Sequence, residues 1–257
     1  MSLERIATMP GPRRLAVAAF ACAILAFGLL AQLNVATHVG EGSVPRPEQV
    51  LWRYHGKPGS TDLHRVLDLA LPEDDPHAMW PYLAAVAEER EARRAAILAW
   101  VDAGAPAAGW DAVAPVFTGA ETCGQCHAAG GTKGDLPFDT YEHVLAVAQP
   151  DTGMAWGDLT VTAHNHAFGF SVAALLLGLL VSATGLRPRW QVLVIVALFL
   201  GPVLDVGAWF LTRWLGSPWH LVVMAGGGLF AAASAAACLA VLWDATLGRR
   251  RLARGGR

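Results

Sequence analysis

The sequence predicts an all-α membrane protein in which a small helical domain is inserted between the first and second of four transmembrane helices. Of the 257 residues, 54% are hydrophobic and only 16% are charged, whereas soluble domains carry about 25% charged residues. Four long apolar stretches interrupt the chain, and the segment between the first two has helical spacing without strand-like alternation. This composition excludes a disordered chain, a disulfide scaffold and a nucleic-acid-binding protein.

The four apolar stretches have the length of membrane-spanning helices. About 20 apolar residues cross a bilayer as a helix, and a helix satisfies its backbone hydrogen bonds internally. The stretches cover residues 15–33, 167–186, 190–211 and 219–243. They predict an N-terminal anchor at 1–34, an exported domain at 35–163, a three-helix bundle at 164–248 and a basic tail at 249–257.

Charge predicts the orientation of these helices. Basic residues lie before the first stretch, between the second and third, and after the fourth: Arg13 and Arg14, Arg187 and Arg189, and Arg249, Arg250 and Arg251. Such residues favour the cytoplasmic side. We therefore expect a multi-pass protein of the bacterial inner membrane with both termini cytoplasmic and 35–163 in the periplasm. The first stretch exceeds the ~7–15 residues of a signal-peptide core, which favours an uncleaved anchor over a cleaved signal.

Within the exported segment the pattern predicts a linker at 35–50 followed by three helices. The first covers 60–71, with Ser60 or Thr61 as N-cap. The second covers 80–103 and ends at Gly104. A short third helix covers 139–148. The segment 35–163 holds 8 basic and 18 acidic residues, which suits either a basic partner protein or a solvated surface.

One motif carries chemistry: Cys123-Gly124-Gln125-Cys126-His127. The C-x-x-C-H pattern predicts covalent attachment of one c-type haem. Its two thiols can form thioethers to the same porphyrin, and His127 then lies under the iron as proximal ligand. A thioredoxin-like redox pair would need a βαβ context. A zinc site would need a second ligand pair, and the exported segment has no other cysteine.

These residues resemble monohaem c-type cytochromes, and more narrowly the planctomycete-type cytochrome domains. In that family C-x-x-C-H precedes a Gly-Leu-x-Leu/Phe-Asp-x-Tyr-like helix, which is similar to 134–141 (GDLPFDTY) here. The family's second half is similar to 63–66 (LHRV), 79–81 (MWP) and 100–106 (WVDAGAP). The two halves stand in reversed order in this chain. The resemblance therefore implies either a circularly permuted cytochrome, with 51–106 folded over a haem bound by 107–154, or a degenerate first domain that lost its own haem.

The resemblance leaves the sixth ligand of the iron open. Met79 matches the family's axial methionine in the permuted arrangement. Met154 follows the haem motif, as in the usual order of such cytochromes, and His143 would give bis-histidine ligation. Methionine ligation raises the reduction potential relative to bis-histidine ligation, so the choice affects function.

A second set of polar residues lies at the predicted outer ends of the bundle: His164, His166, Asp205 and His220. Ionisable residues within spans are costly and commonly functional. One of the first two histidines with His220 could hold a b-type haem, and with Asp205 they could bind a metal or a quinone or relay protons. The alternative is interfacial hydrogen bonding alone. Trp209 is predicted to be one of several interfacial anchors.

The predicted function is membrane-bound electron transfer through one covalent haem c. Expected partners are membrane lipid, a quinol-linked donor and a periplasmic or membrane redox protein, for example in a respiratory complex, and no nucleic acid. We expect an electron carrier rather than a stand-alone enzyme. The alternatives are a quinol-oxidising or haem b-containing subunit that uses the second set of residues, and a haem-based sensor.

Overall fold

The computed structural model describes residues 4–38, 44–75 and 78–248, and in these ranges the chain is helical, with no strand beyond one isolated bridge between Thr61 and Pro150. The helices are α1 (Gly11–His38), α2 (Pro47–His55), α3 (Asp62–Val66), α4 (Ala87–Asp102), α5 (Trp110–Thr118), α6 (Gly124–His127), α7 (Tyr141–Ala148), α8 (Trp156–Ser182), α9 (Pro188–Leu215) and α10 (Trp219–Trp243). Three short 3-10 turns (Ile6–Thr8, Trp80–Leu83 and Ala107–Gly109) and a final π-helical turn (Asp244–Gly248) complete the set.

The chain divides into two compact units. Lys57–Thr152 form one, which we call the insert unit, and Met1–Gly56 with Gly153–Arg257 form the other, which we call the membrane unit. Residues 47–56 and 153–163 thus belong to the membrane unit. The sequence-based boundaries, which assign 35–163 to the exported domain, differ here from the structure.

The membrane unit contains four helices that are long and apolar enough to cross a membrane, as predicted. They are Gly11–Thr37, Trp156–Ser182, Pro188–Leu215 and Trp219–Gly248. The second is longer than its apolar stretch, because the helix begins at Trp156, eleven residues before 167. The all-helical fold class with four transmembrane helices is therefore confirmed.

Small residues set the packing of α9 against α10. A Cβ on Gly226 would overlap the backbone nitrogen of Asp205, and a Cβ on Gly201 would lie 2.8 Å from the backbone nitrogen of Phe230. Glycine at such points lets two membrane helices approach closely. This approach brings Asp205 of α9 directly against the middle of α10.

The first helix packs through its N-terminal half alone. Val17, Phe20, Ala21, Ile24 and Leu25 join the core that α8, α9 and α10 share. In contrast, the side chains of the second half are exposed: Phe27, Leu29, Leu30 and Leu33. An apolar helix face of this kind is stable against lipid.

The insert unit is built on one hydrophobic core that takes residues from both halves of its sequence. Five members of this core precede the C-x-x-C-H motif in the chain: Leu63, Leu83, Ile97, Trp100 and Phe117. Two others, Phe138 and Val144, follow it. Helix α3 contacts α4 and α7, and α5 contacts α4, α6 and α7. The hydroxyl of Tyr141 also donates to the backbone oxygen of Ala105 at 3.0 Å. Residues 57–152 therefore share one core rather than forming two separate domains.

The chain segments that lead into and out of the insert unit are paired. Asp151 accepts a hydrogen bond from the backbone nitrogen of Lys57 at 3.0 Å, and its own nitrogen donates to the oxygen of Ser60 at 2.7 Å. In the membrane unit the nitrogen of Met154 donates to the oxygen of Arg53 at 3.1 Å. Both units thus hold their two junction segments side by side.

Several helix limits differ from the sequence-based ones. The predicted linker 35–50 already contains the start of α2, where Pro47 occupies the first turn and Glu48 adds a favourable acidic residue. The first predicted helix is shorter, and its N-cap is Thr61, which accepts from the nitrogen of His64 at 3.2 Å.

The predicted helix 80–103 is divided. Pro81 stands in the 3-10 turn Trp80–Leu83, and α4 starts only at Ala87. The predicted tail 249–257 lies outside the described residues.

Candidate haem site and polar cluster

The C-x-x-C-H motif forms a single helical turn anchored on α5. Cys123 is the N-cap of α6, and the helix ends at His127. A Cβ on Gly124 would lie 2.6 Å from the backbone oxygen of Thr118, so only glycine fits there. Thr122 fixes the turn from the other side by donating its hydroxyl to the oxygen of Val116 at 2.6 Å. The two thiols and the imidazole are therefore presented by one well-anchored turn.

The imidazole of His127 is oriented as a metal ligand would be. Its Nδ1 lies 2.8 Å from the backbone oxygen of Leu136. A carbonyl can only accept, so Nδ1 carries the proton and Nε2 keeps its lone pair. No hydrogen bond reaches Nε2 within the described part of the chain. Ligating histidines commonly donate their second ring N–H to a carbonyl in this way.

The ring of His127 is also held in place by packing. It stacks on the ring of Phe138 with centroids 4.1 Å apart and planes 9° apart. The backbone nitrogen of Phe138 in turn donates to the oxygen of His127 at 3.0 Å. Only 7% of the residue's surface is exposed. A ring nitrogen without a partner, on an imidazole that is otherwise buried and fixed in orientation, is the observation that best fits a haem-iron ligand.

The two cysteines fit thioether attachment. All four cysteines of the chain lie in described residues and none forms a disulfide. Cys123 packs against the core of the insert unit, and burial raises the pKa of its thiol to about 11. Cys126 is partly exposed. The donor set Cys123, Cys126 and His127 thus has the chemistry that a covalent haem requires.

The two candidate methionine ligands belong to different hydrophobic clusters. Met79 packs on the hydrophobic core of the insert unit, as Cys123 does, and its nitrogen donates to the oxygen of Val66 at 2.8 Å. Met154 packs in the membrane unit on a cluster that includes Leu159 and Trp209. Only Met79 therefore shares a core with the haem motif.

His143, the third candidate, is turned towards a carboxylate at the surface. Its Nδ1 lies 2.6 Å from Oδ1 of Asp139, and both side chains are about half exposed. The hydrogen bond from His143 lowers the pKa of Asp139. This interaction caps the start of α7 together with Thr140, which accepts from the nitrogen of His143 at 3.3 Å.

In the membrane unit, Asp205 and His166 meet through Trp209. The indole Nε1 of Trp209 donates to Oδ1 of Asp205 at 2.9 Å. The His166 ring stands edge-on to the Trp209 ring at 5.1 Å between centroids, and its Nδ1 donates to the oxygen of Thr162 at 2.9 Å. Because a carbonyl accepts this bond, Nε2 of His166 is left as an acceptor.

Tyr54 of α2 completes this cluster. Its ring stacks on Trp209 with centroids 5.5 Å apart. Burial raises the pKa of Tyr54 well above its usual range, and the negative charge of Asp205 adds to the rise. We call Tyr54, His166, Asp205 and Trp209 the polar cluster.

The other two predicted histidines behave differently. His220 is 7% exposed, and its Nδ1 is buried without a hydrogen-bond partner in the described structure. His164 is exposed. In the residues that the structure describes, no three His, Cys, Asp or Glu side chains are grouped as metal ligands. The predicted set of four is thus partly assembled: His166 and Asp205 come together, and His164 lies apart.

Sequence reasoning missed two members of the polar cluster. Tyr54 lies in a segment next to the predicted linker, and no local signal links it to the bundle. Trp209 was expected to be an interfacial anchor, but it is 5% exposed and bonded to Asp205. Its position four residues after Asp205, one helical turn on, is the signal that could have indicated this contact.

Comparisons with known proteins bear on the membrane unit. A family model described as a transmembrane helical domain, Aq_1264_TM, matches residues 152–252. No curated protein and no solved structure matches the chain. The match spans α8, α9 and α10 and covers less than half of the chain. Residues 152–252 are therefore similar to a transmembrane helical family, and with α1 they make this chain a multi-pass membrane protein.

Proposed function

We propose that this protein is a membrane-anchored electron-transfer protein whose insert unit is a circularly permuted c-type cytochrome. The observation that carries the proposal is the His127 imidazole, whose Nδ1 is bonded to a carbonyl and whose Nε2 is without a partner, one residue after Cys126. The single core of 57–152 supports the permuted arrangement over a degenerate first domain.

The haem, when bound, supplies reversible one-electron chemistry. Cys123 and Cys126 would hold the haem by thioethers, and His127 would ligate its iron through Nε2. The oxygen of Leu136 keeps the His127 ring in the tautomer that can ligate, and Phe138 holds its plane. Met79 is the sixth ligand that this arrangement favours, because it shares the core of the haem motif. Met154 instead packs on the cluster of Leu159 and Trp209.

The charge of the insert unit favours a basic redox partner. Residues 57–152 hold fifteen acidic and six basic side chains, and many of the acidic ones are surface residues. Charge of one sign steers encounters with a partner of the opposite sign. We place this unit in the periplasm of a bacterium, with both termini cytoplasmic, because the basic loops favour that orientation.

The test is a pyridine haemochrome measurement on the detergent-purified full chain. We expect one haem c per chain, and none in the variant Cys123→Ser/Cys126→Ser. The matched control is Cys22→Ser/Cys238→Ser, which removes the two membrane cysteines and leaves haem c unchanged. Absence of covalent haem from the wild type, after expression with a haem-attachment system, would overturn the proposal.

A second candidate function is quinol oxidation by the membrane unit, and the polar cluster favours it. The polar cluster combines a carboxylate with a histidine nitrogen that can accept a hydrogen bond, both on helices of the bundle.

The pyridine haemochrome spectrum also tests a further alternative. A bundle that held a b-type haem would add haem b to the spectrum. A haem-based sensor predicts a five-coordinate iron that binds carbon monoxide readily, whereas Met79 ligation predicts slow binding.

A further inference from the structure

The two carboxylate oxygens of Asp205 have different surroundings. Oδ1 accepts from Trp209, whereas Oδ2 makes no hydrogen bond within the described residues. A Cβ placed on Gly227 of α10 would lie 3.6 Å from Oδ2 and 3.8 Å from Cγ of Asp205. Apart from the backbone of α10 itself, no other described atom would lie within 4 Å of it. We call this gap beside Oδ2 the Gly227 notch.

Aromatic rings flank the notch. Phe230 lies one turn beyond Gly227 on the same face of α10, and its ring is 4.7 Å from that of Phe170 on α8. His166 stands edge-on to Phe170 at 5.5 Å and to Trp209 at 5.1 Å. Ring contacts thus link His166 to Phe170 and Trp209, and Trp209 is bonded to Asp205. This combination of aromatic and polar groups suits a flat ligand with a polar edge.

The notch opens to the side of the bundle. Residues 164–169 of α8 are exposed, as are Ala225 and Gly228 beside Gly227, and Asp205 itself is only partly buried. In a membrane such a face meets lipid. A carboxylate oxygen there is costly unless it accepts a hydrogen bond, and Oδ2 of Asp205 accepts none from the described residues. The position therefore selects a lipid-soluble molecule that carries a hydrogen-bond donor.

His220 is a second polar group of the bundle whose hydrogen bonding is incomplete. Its Nδ1 is buried without a partner, which is rare in folded proteins and calls for an explanation. His220 precedes Gly227 by seven residues, so it lies on the same face of α10, about 10.5 Å away along the axis. Val223, between them, packs on Trp209 in the same cluster. An unpaired buried polar group thus lies on α10 two turns before the notch.

We propose that the Gly227 notch binds the headgroup of a lipid-soluble hydroquinone. One hydroxyl donates to Oδ2 of Asp205, and Nε2 of His166 accepts from the second. The oxidised quinone has no hydroxyl to donate, so the notch binds the reduced form more tightly. This inference does not rest on the covalent haem, since the residues that make the notch belong to the membrane unit.

The test measures binding of decylubiquinol to the full chain in detergent micelles, under anaerobic conditions, by isothermal titration. The variant Gly227→Leu fills the notch without a backbone clash, because its Cβ meets only ordinary contacts. We expect it to weaken binding at least tenfold. Gly228→Leu is the matched control, since a Cβ there meets nothing within 4 Å, and we expect a change below twofold. Equal losses in both variants, or no saturable binding by the wild type, would overturn the proposal.

Asp205→Asn separates recognition of the hydroxyl from general damage to the fold. The asparagine oxygen can still accept from Trp209, which leaves its amide group, a donor, facing the notch. We expect at least tenfold weaker binding of decylubiquinol and unchanged or tighter binding of decylubiquinone. Weakening of both forms to the same extent would contradict the assignment of Oδ2 as the acceptor. Haem content is measured on the same samples, so a failed notch and a failed haem assignment are distinguishable.

Discussion

His127 in the insert unit and His166 in the membrane unit are oriented by the same device. In each, Nδ1 donates to a backbone oxygen, of Leu136 at 2.8 Å and of Thr162 at 2.9 Å. Each ring is thereby left with a free lone pair on Nε2. Their surroundings differ: His127 is buried beside two thiols, whereas His166 is exposed beside an aspartate. The comparison teaches that a fixed tautomer leaves the lone pair of Nε2 available. The neighbouring residues then determine which kind of ligand the histidine suits.

The largest difference that we expect is between the alanine variants of these two histidines. If the insert unit carries the proposed haem, His127→Ala removes its proximal ligand and should abolish the low-spin spectrum. His166→Ala should leave that spectrum and the haem content unchanged. Visible absorption of the oxidised and reduced purified proteins checks this. If His166→Ala altered the haem spectrum as strongly as His127→Ala, the division of roles between the units would be wrong.

The next effect concerns the two methionines. Met79→Ala should lower the reduction potential of the haem markedly, because a thioether ligand favours the reduced iron. Met154→Ala should change it little, since Met154 packs in the membrane unit. Potentiometric titration of both variants provides the comparison. A fall in potential for Met154→Ala but not for Met79→Ala would contradict the assignment of Met79 as the sixth ligand.

A comparison of Gly124 with Gly157 tests how firmly the turn of the C-x-x-C-H motif is anchored. Gly124→Ala places a Cβ 2.6 Å from a backbone oxygen, which cannot move cheaply. We expect a loss of about 1–3 kcal/mol in the free energy of unfolding, the usual range for overpacking. Gly157→Ala at the start of α8 meets nothing within 4 Å and should be neutral. Thermal unfolding followed by circular dichroism measures both, and an unchanged midpoint for Gly124→Ala would show that the turn tolerates a shift.

The smallest effect is a pH dependence at the surface of the insert unit. The folded pKa of Asp139 lies below its ordinary value. Its contribution to stability is therefore present above the unfolded pKa, near 3.9, and is lost as the pH falls through the folded pKa. Asp139→Asn should flatten the fall of the melting temperature with acidification below pH 4, by a small amount because the pair is solvent-exposed. An identical pH profile for wild type and variant would show that Asp139 contributes nothing to stability.

The sequence predicts the membrane-spanning helices well because their signal is local, and the signal of the C-x-x-C-H motif is equally local. Hydropathy over about 20 residues identifies the spans, and Cys123, Cys126 and His127 are adjacent in the chain. The partners of these groups are not local. Leu136 reaches His127 through a carbonyl, which has no residue-type signature, and Tyr54 meets Trp209 across 155 positions of sequence. The sequence did not predict α2, because a helix of nine residues has little stability of its own. It packs on α9 and α10, and these contacts leave no local signal in the sequence.

The paired junction segments have an evolutionary consequence. Because Lys57 and Asp151 are hydrogen-bonded, and Arg53 and Met154 likewise, the insert unit begins and ends at neighbouring points. Insertions succeed where the ends of the guest lie close together. A host membrane protein could therefore gain, lose or exchange this guest in one recombination event. By the same reasoning, a short turn joining Gly56 to Gly153 would be the natural design for a guest-free version of the host.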